Sequence, residues 1–180
     1  MLLLILAHPY LDRSRANQAL LSAVRDLDGL ELRSLYDLYP GFDIDVPTEQ
    51  AALSRATVVV WQHPIYWYAP PALLKHWFDT VLLRGWAYGQ GGDALKGKRC
   101  LWVTTTGGEP QAYGPEGMHR FPFGDFIPPV EQTARFCSMS WEPPIILHGS
   151  HQVSDAELER VAASYRSRLQ TLIDEARSST

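Results

Sequence analysis

The stretch that most constrains the fold runs from Trp61 to Asp79 and joins a buried strand to an amphipathic helix. Thr57–Trp61 contains three consecutive valines, as expected of a strand that is covered on both faces of a parallel sheet. Pro70 and Pro71 can occupy a first helical turn, where a missing amide hydrogen removes no hydrogen bond. The loop between strand and helix, Pro64–Tyr68, carries three consecutive aromatic side chains. It follows a strand, and open α/β sheets bind ligands at the carboxyl ends of their strands.

The rest of the chain alternates short apolar runs with helical patterns. The predicted strands are Leu2–Leu6, Leu30–Leu35, Thr57–Trp61, Arg99–Thr105 and Ile145–His148. The predicted helices run from Ser14 to Gly29, from Thr48 to Arg55, from the Pro70–Pro71 pair to about Leu83, from Phe123 to Phe136 with a start or kink at Pro128, and onward from Ser154. This alternation is typical of a parallel sheet with helices on both faces, and Tyr36–Pro47 is predicted to be a loop.

Composition bounds the class of protein. The 180 residues fit one domain, 1–180, and the 46% hydrophobic content is that of a globular protein. A formal net charge of -4 gives no electrostatic case for binding nucleic acid or an anionic membrane surface. Cys100 and Cys137 are far apart, which favours two buried thiols in a reducing compartment. Leu2–Leu6 is too short for a signal peptide or a membrane span, so the sequence predicts a soluble, cytoplasmic protein.

Three predicted loops follow strands and should meet at one edge of the sheet: His8–Asn17, Pro64–Tyr68 and Thr105–His119. The first loop ends at a helix N-terminus, where unpaired amides and the helix dipole favour anions. Ser14 could therefore help to bind a phosphate, with a neighbouring arginine adding charge, or it could simply cap the helix. The loop by itself leaves both interpretations open.

Two other patterns suggest chemistry that the sequence does not support. Gly92–Lys98 approaches a phosphate-binding P-loop, but Arg99 stands where Ser or Thr should bind magnesium, and the run precedes a strand. His148 and His151 are three residues apart, but no H-E-x-x-H motif or Cys/His cluster accompanies them. We therefore predict no metal site.

Four motifs carry the strongest indication of function. They are Ala7-His-Pro with Ser14 and Asn17, the run His63–Asp79, the run Gly85–Gly89 and the turn Thr105–Gly108. In this combination, over about residues 1 to 170, the chain resembles the flavodoxin-like NAD(P)H:quinone oxidoreductase family. Within that family it is similar to the bacterial ancillary oxidoreductases of glutathione-regulated potassium efflux systems, which Leu35–Pro40 and Trp61–Pro64 match. The resemblance implies a flavodoxin-like three-layer sandwich: a five-stranded parallel sheet of order 2-1-3-4-5 with helices on both faces.

The resemblance also implies a flavin site, with FMN as the cofactor and FAD as the alternative. By position, the residues implied to hold the flavin phosphate are His8, Ser14, Arg15, Ala16 and Asn17. Those implied to line the isoalloxazine are Ile65, Tyr66, Trp67 and Tyr68, and those implied to contact its polar edge are Thr105, Thr106, Gly107 and Gly108. Tyr113 and His119 stand at the spacing of the family's catalytic pair, where a hydroxyl and an imidazole can donate to the negative charge that develops on the ring.

Two functions follow from the resemblance. The first is an enzyme in which NAD(P)H reduces the flavin and a quinone or related electrophile then takes both electrons in the same pocket. The second is a regulatory flavoprotein subunit that binds and activates a glutathione-gated potassium efflux antiporter, which would place it at the inner membrane through that partner. The family also implies a homodimer formed by the helix after Pro71 and the Gly85–Gly92 loop.

Overall fold

A computed structural model of the protein describes residues 1–178. Its strands are β1 (Leu2–Leu6), β2 (Leu30–Ser34), β3 (Val58–Pro64), β4 (Arg99–Thr105), β5 (Ser140–Trp141) and β6 (Ile145–Leu147). Its α-helices are α1 (Arg15–Val24), α2 (Leu35–Leu38), α3 (Val46–Arg55), α4 (Ala72–Val81), α5 (Pro128–Phe136) and α6 (Asp155–Ser178). Short 3-10 turns span Leu11–Arg13, Pro110–Ala112 and Phe123–Phe126. Among residues 1–178, none of the helices combines the length and the apolar character that spanning a membrane requires.

All strands join one parallel sheet of order β2-β1-β3-β4-β5, with β6 also paired to β4. The predicted flavodoxin-like order is thus confirmed, but two short strands share the fifth position. β5 pairs with the beginning of β4, and β6 pairs with its end. Pro143 and Pro144 separate the two, and proline cannot donate to a strand ladder. The predicted strand Ile145–His148 accounts only for the second piece.

Apolar side chains fill both faces of the sheet, as the uninterrupted hydrophobic runs predicted. Leu3 and Val59 face one layer, which is built from α3, α4 and α5, whereas Leu4 and Val60 face the opposite layer of α1 and α6. This sandwich leaves the carboxyl ends of the strands as an open edge.

The end of β3 differs from the prediction. The strand continues three residues beyond Trp61 because its polar side chains find partners inside the core. Gln62 Oε1 accepts a hydrogen bond of 3.0 Å from the Tyr165 hydroxyl, and His63 Nε2 accepts one of 2.7 Å from Trp102 Nε1. Both side chains are fully buried, so polarity was a misleading signal for the end of the strand.

Several helix boundaries also differ. The predicted loop Tyr36–Pro47 contains most of the single turn α2, which begins at Leu35, the last residue of the predicted second strand. It also contains the first residues of α3, because the Asp45 carboxylate accepts the amide hydrogen of Thr48 and caps α3 early. α1 ends at Val24, short of the predicted end at Gly29. α4 begins after both prolines of its predicted first turn, since Pro71 is the capping residue.

Two helix starts agree with the prediction. α5 begins at Pro128, behind a separate 3-10 turn at Phe123–Phe126. α6 begins after Ser154, whose hydroxyl oxygen accepts the amide hydrogen of Glu157 at 3.2 Å.

Candidate functional site

A cavity of about 470 Å³ opens at the carboxyl edge of the sheet, beside the ends of β3 and β4. That volume lies within the usual range for small-molecule sites. The lining residues are His8, Tyr10, Arg13, Ser14, Arg15, Ala16, Pro64, Ile65, Tyr66, Thr105, Gly107, Ser150 and His151. The three predicted loops thus meet here, together with the loop that follows β6.

Ser14 and Asn17 fasten the first turn of α1 to the end of β4. The Ser14 hydroxyl oxygen accepts hydrogen bonds from the backbone and side-chain nitrogens of Asn17, each at 3.2 Å. The buried Asn17 side chain also donates to Thr105 Oγ1 at 2.9 Å. Because Ser14 uses its oxygen lone pairs as the cap, its hydroxyl hydrogen stays available to donate. Capping and anion binding by Ser14 are therefore compatible.

The two arginines near this turn differ in what they contact. Arg15 lines the cavity, but its guanidinium binds the Asp155 carboxylate and the Val153 carbonyl oxygen at the start of α6. The Arg13 guanidinium lies 5.5 Å from the centre of the Tyr10 ring at the rim of the cavity, and its contact with the Asp12 carboxylate, at 3.9 Å, is long and solvent-exposed. Arg13 is thus the better-placed cation for an anionic ligand.

His8 is nearly buried, and its Nδ1 accepts a hydrogen bond of 3.1 Å from the backbone nitrogen of Tyr10. Burial lowers the pKa of His8, and the nearby Asp12 carboxylate partly opposes that shift. Because Nδ1 accepts, the proton of the neutral ring sits on Nε2, which can donate to a ligand.

The aromatic loop makes a tight turn that separates its three rings. Tyr66 and Ala69 exchange two backbone hydrogen bonds of 3.0 and 3.1 Å, and the φ angles of Trp67 and Tyr68 between them are 50° and 64°. Tyr66 therefore stays beside Ile65 in the cavity wall, whereas Trp67 projects outward with 93% exposure. Tyr68 turns toward His119 instead.

The turn after β4 brings backbone to the cavity. Gly107 lines it, and a Cβ atom there would come within 3.5 Å of the His151 ring. The Thr106 hydroxyl donates to the Gly108 carbonyl at 2.7 Å and lies 3.0 Å from His148 Nδ1, which pins the turn. Burial lowers the pKa of His148.

Tyr113 and His119 lie together, as the motif spacing implied, but they meet as stacked rings 4.4 Å apart at 21°. The hydroxyl that reaches His119 belongs to Tyr68, at 3.2 Å from Nδ1. His119 Nε2 is buried without a hydrogen-bond partner among residues 1–178. It abuts Gly108, where an added Cβ would lie only 2.8 Å from that nitrogen.

Sequence reasoning missed Ser150 and His151 as lining residues. They follow β6, whose carboxyl end opens on the same edge because β6 is parallel to β4. Backbone hydrogen bonds of 2.9 Å tie this loop to the turn after β4, from Ser150 to Thr106 and from Gly149 to Gly108. The position of this loop after the last strand could have predicted that it lines the cavity. The spacing of His148 and His151 suggested only a metal site.

The donor set suits a phosphorylated, flat ligand. One end of the cavity offers a helix N-terminus, a hydroxyl and an arginine, and its wall offers Ile65 and the Tyr66 ring. The unpartnered Nε2 of His119 is a buried polar atom of the kind that a ligand satisfies. These residues fit FMN. Within residues 1–178, no three or more His, Cys, Asp or Glu side chains group as a metal site would require.

A family profile described as the flavodoxin-like fold matches residues 1–169. A relative from Enterobacter sp. (strain 638) is 48% identical over 94% of this chain and 95% of its own length. It is named glutathione-regulated potassium-efflux system ancillary protein KefF.

Three solved structures share the fold across nearly the whole chain. General stress protein 14 of Treponema denticola, in complex with FMN, has a TM-score of 0.87 and 37% identity, covering 95% of this chain and 98% of its own. An NADPH-quinone reductase from P. pentosaceus has a TM-score of 0.84 and 28% identity, covering 93% and 96%. A protein named thermophilic tryptophan halogenase, from Streptomycin violaceusniger, has a TM-score of 0.88 and 35% identity, covering 94% and 98%. These names span different activities, so similarity alone does not identify the chemistry of this chain.

Proposed function

The chain belongs to the family of the flavodoxin-like fold, and from that premise we propose that it is an FMN-dependent NAD(P)H oxidoreductase that reduces quinones or related electrophiles by two-electron, ping-pong hydride transfer. The observation that carries the proposal is that a helix N-terminus and an aromatic wall share one cavity, while the unpartnered imidazole nitrogen of His119 lies beside Gly108, next to the lining residue Gly107. The quinone reductase and the FMN complex among the similar structures support it.

The bound flavin supplies the hydride chemistry, and the protein orients and polarises it. In this assignment the Ser14 hydroxyl and the first-turn amides of α1 bind the phosphate, with Arg13 adding positive charge. His8 and Ala16 lie at the same end, and Asn17 holds this turn against β4. Charge that is fixed beforehand stabilises a dianion without reorganisation.

The opposite part of the site would hold the ring system. Ile65 and Tyr66 shield one side from water, and Gly107 lets the ring approach the backbone closely. His119 holds a proton near the turn, where it can donate to developing negative charge, while the stacked Tyr113 ring fixes the imidazole plane. NAD(P)H and the acceptor would use the same open face in turn.

We also propose a second role, as a regulatory subunit of a glutathione-gated potassium efflux antiporter. The name of the Enterobacter relative favours it, at 48% identity across almost the whole chain. The protein would then work in the cytoplasm, held at the inner membrane by that partner, and as a homodimer. Catalysis and regulation can coexist in one protein.

The visible absorption spectrum of the purified protein, before and after anaerobic NADPH or NADH, tests the enzymatic proposal. We expect flavin bands that bleach with a reduced nicotinamide and recover on adding a quinone, and chromatography of the released cofactor should identify FMN. Flavin that stays oxidised with both nicotinamides would contradict the reductase and favour the regulatory role. Protein that binds no FMN at all would contradict the site assignment.

Variants separate chemistry from regulation. Tyr113→Phe combined with His119→Gln should slow stopped-flow bleaching while FMN stays bound, and His76→Gln, outside the cavity, is the matched control. Potassium efflux from vesicles that contain the antiporter should be measured with both proteins. Activation by the slow double variant would assign a regulatory role that needs no turnover, whereas unchanged bleaching would refute the proton-donating role of His119.

A further inference from the structure

The turn that carries Tyr68 is held in a strained conformation. Trp67 and Tyr68 both have positive φ angles, at the two central positions of a tight turn closed by Tyr66 and Ala69. Such turns normally place Asn and Gly there, because larger side chains disfavour left-handed backbone angles. Strain of this kind persists where the surrounding contacts support it and clusters at functional sites. The strain at this turn therefore suggests that the Tyr68 side chain has a function.

Tyr68 reaches the imidazole of His119. Its hydroxyl lies 3.2 Å from Nδ1, and its ring stacks on Phe126 with centroids 5.2 Å apart. The Tyr113 ring covers a face of the imidazole at 4.4 Å. Within residues 1–178, the Tyr68 hydroxyl is the one hydrogen-bond partner of the imidazole nitrogens, since Nε2 has none. The groups that face the imidazole in these contacts are the two tyrosines.

The direction of this hydrogen bond follows from the two groups that it joins. A phenol hydroxyl is a stronger donor than acceptor, and the unprotonated nitrogen of a neutral imidazole is a good acceptor. The Tyr68 hydroxyl therefore donates, and Nδ1 of His119 accepts. The proton of the neutral ring must then sit on Nε2, because the partner of one ring nitrogen sets the state of the other. That nitrogen is the buried atom without a partner beside Gly108.

We infer that Tyr68 is a positioning residue whose hydroxyl holds His119 in the Nε2–H tautomer, so that His119 presents a hydrogen-bond donor to the flavin or to a substrate bound on it. The inference rests on the proposed function, because it assigns how one residue of that site is oriented. An unpaired buried donor is unfavourable in the free protein and is satisfied when a ligand supplies an acceptor. The strained turn, the hydrogen bond and the unpartnered nitrogen then have one common explanation.

Nitrogen-15 NMR of histidine-labelled full-length protein tests the inference without activity. His119→Gln identifies the His119 signals among the six histidines. We expect the Nε2–H tautomer in the wild type, with and without FMN. In Tyr68→Phe, which keeps the stacking ring, the ratio of Nε2–H to Nδ1–H tautomers should fall about tenfold for one lost hydrogen bond. Tyr165→Phe is the matched control, because it removes one hydroxyl and one buried hydrogen bond at Gln62 instead.

The rate of flavin bleaching gives the second readout. Tyr68→Phe should slow bleaching by NAD(P)H about tenfold with FMN still bound, and Tyr165→Phe should not. An Nδ1–H tautomer in the wild type, or an unchanged tautomer ratio in Tyr68→Phe, would overturn the inference. If Tyr68→Phe does not fold, the tautomer of His119 in the wild type still tests the inference. A wild type that never bleaches would refute the proposed reductase, while the tautomer in flavin-free protein still tests Tyr68.

Discussion

Glu49 shows how one residue can join several elements. Its carboxylate is fully buried and accepts hydrogen bonds from Arg33 Nε at 2.9 Å, the Tyr39 hydroxyl at 2.6 Å and Trp77 Nε1 at 2.9 Å. Burial and the adjacent carboxylate raise the pKa of Tyr39 to about 12. The cluster ties β2, α3 and α4 together around a single acidic side chain.

Glu49→Gln should lower the free energy of unfolding by about 3 kcal/mol, because breaking a buried pair leaves an uncompensated charge on Arg33. The amide also turns one acceptor into a donor that faces other donors. Urea unfolding measures the loss. Asp79→Asn, in an exposed pair with Lys75, is the control and should change stability by less than about 0.5 kcal/mol. Equal effects of the two substitutions would contradict this account of the cluster.

His63 is held neutral inside the sheet. Its Nδ1–H donates to the Pro64 carbonyl at 2.9 Å, and its Nε2 accepts from Trp102 at 2.7 Å. Burial lowers the pKa of His63 from 6.5 to about 4. Protonation would remove the acceptor that Trp102 needs and bury a charge.

The unfolded state consequently binds one more proton at His63 than the folded state between pH 6.5 and about 4. Stability should therefore fall as the pH drops through this window, by up to about 3 kcal/mol from this residue. His63→Gln should reduce the slope of unfolding free energy against pH by about one proton, measured by urea unfolding across the window. His8 and His148, whose pKa values burial also lowers, would maintain a remaining slope. An unchanged slope in the variant would refute the assignment to His63.

At the scale of elements, the tight turn of the aromatic loop adopts a backbone conformation that lowers the stability of the fold. Trp67 occupies a left-handed backbone position and exposes 93% of its surface, so burial within the described chain does not offset its strain. Because the Trp67 side chain is exposed and its backbone is strained, we expect it to contact a partner outside the folded chain, such as a flavin or another subunit.

Trp67→Asn should raise the unfolding free energy of the flavin-free protein by about 0.5 to 1 kcal/mol, because asparagine tolerates positive φ. If Trp67 covers the isoalloxazine, as the family resemblance implies, the same change should weaken FMN binding. Thermal unfolding and FMN titration measure both effects. Trp67→Leu also removes the indole but lacks the backbone preference, so it should weaken binding without the gain in stability. A loss of stability in Trp67→Asn would show that the turn is not strained.

At the scale of the whole molecule, a second cavity of about 570 Å³ lies between α4 and α5. Its wall is largely apolar and includes Phe78, Leu82, Tyr88 and Val130. Phe136 lines it while remaining 61% exposed. Exposed apolar surfaces of this kind often mark protein–protein contacts, and this one involves the helix that the family resemblance implies for a homodimer.

Phe136→Glu should convert a dimer into a monomer, because a charge would be buried in the apolar contact without a partner. Sedimentation velocity over a range of concentrations measures the change. Phe121→Glu is the matched control, since Phe121 is similarly exposed at 60% and does not line this cavity. A wild type that is monomeric throughout, or a dimer that both substitutions leave intact, would refute this interface.

The strand order was implied by the family resemblance, but the sequence pattern by itself determined the parallel sheet and the edge at which the loops meet. Those features depend on local periodicity and on rules that hold for all open α/β sheets, so apolar runs such as Leu2–Leu6 reveal them. Ser14 as a helix cap and Pro128 as a helix start were predictable for the same reason, since each acts within one turn of its own position.

Tertiary structure decided which side chains meet across the chain. Gln62 and His63 follow the predicted end of the third strand, but they are buried strand residues because their hydrogen-bond partners come from distant segments. The Arg15 guanidinium binds the Asp155 carboxylate at the start of α6, and the hydroxyl that contacts His119 belongs to Tyr68 and not to Tyr113. Hydrogen bonds depend on distances and angles between segments that are brought together only by folding, and a sequence pattern does not encode those distances locally.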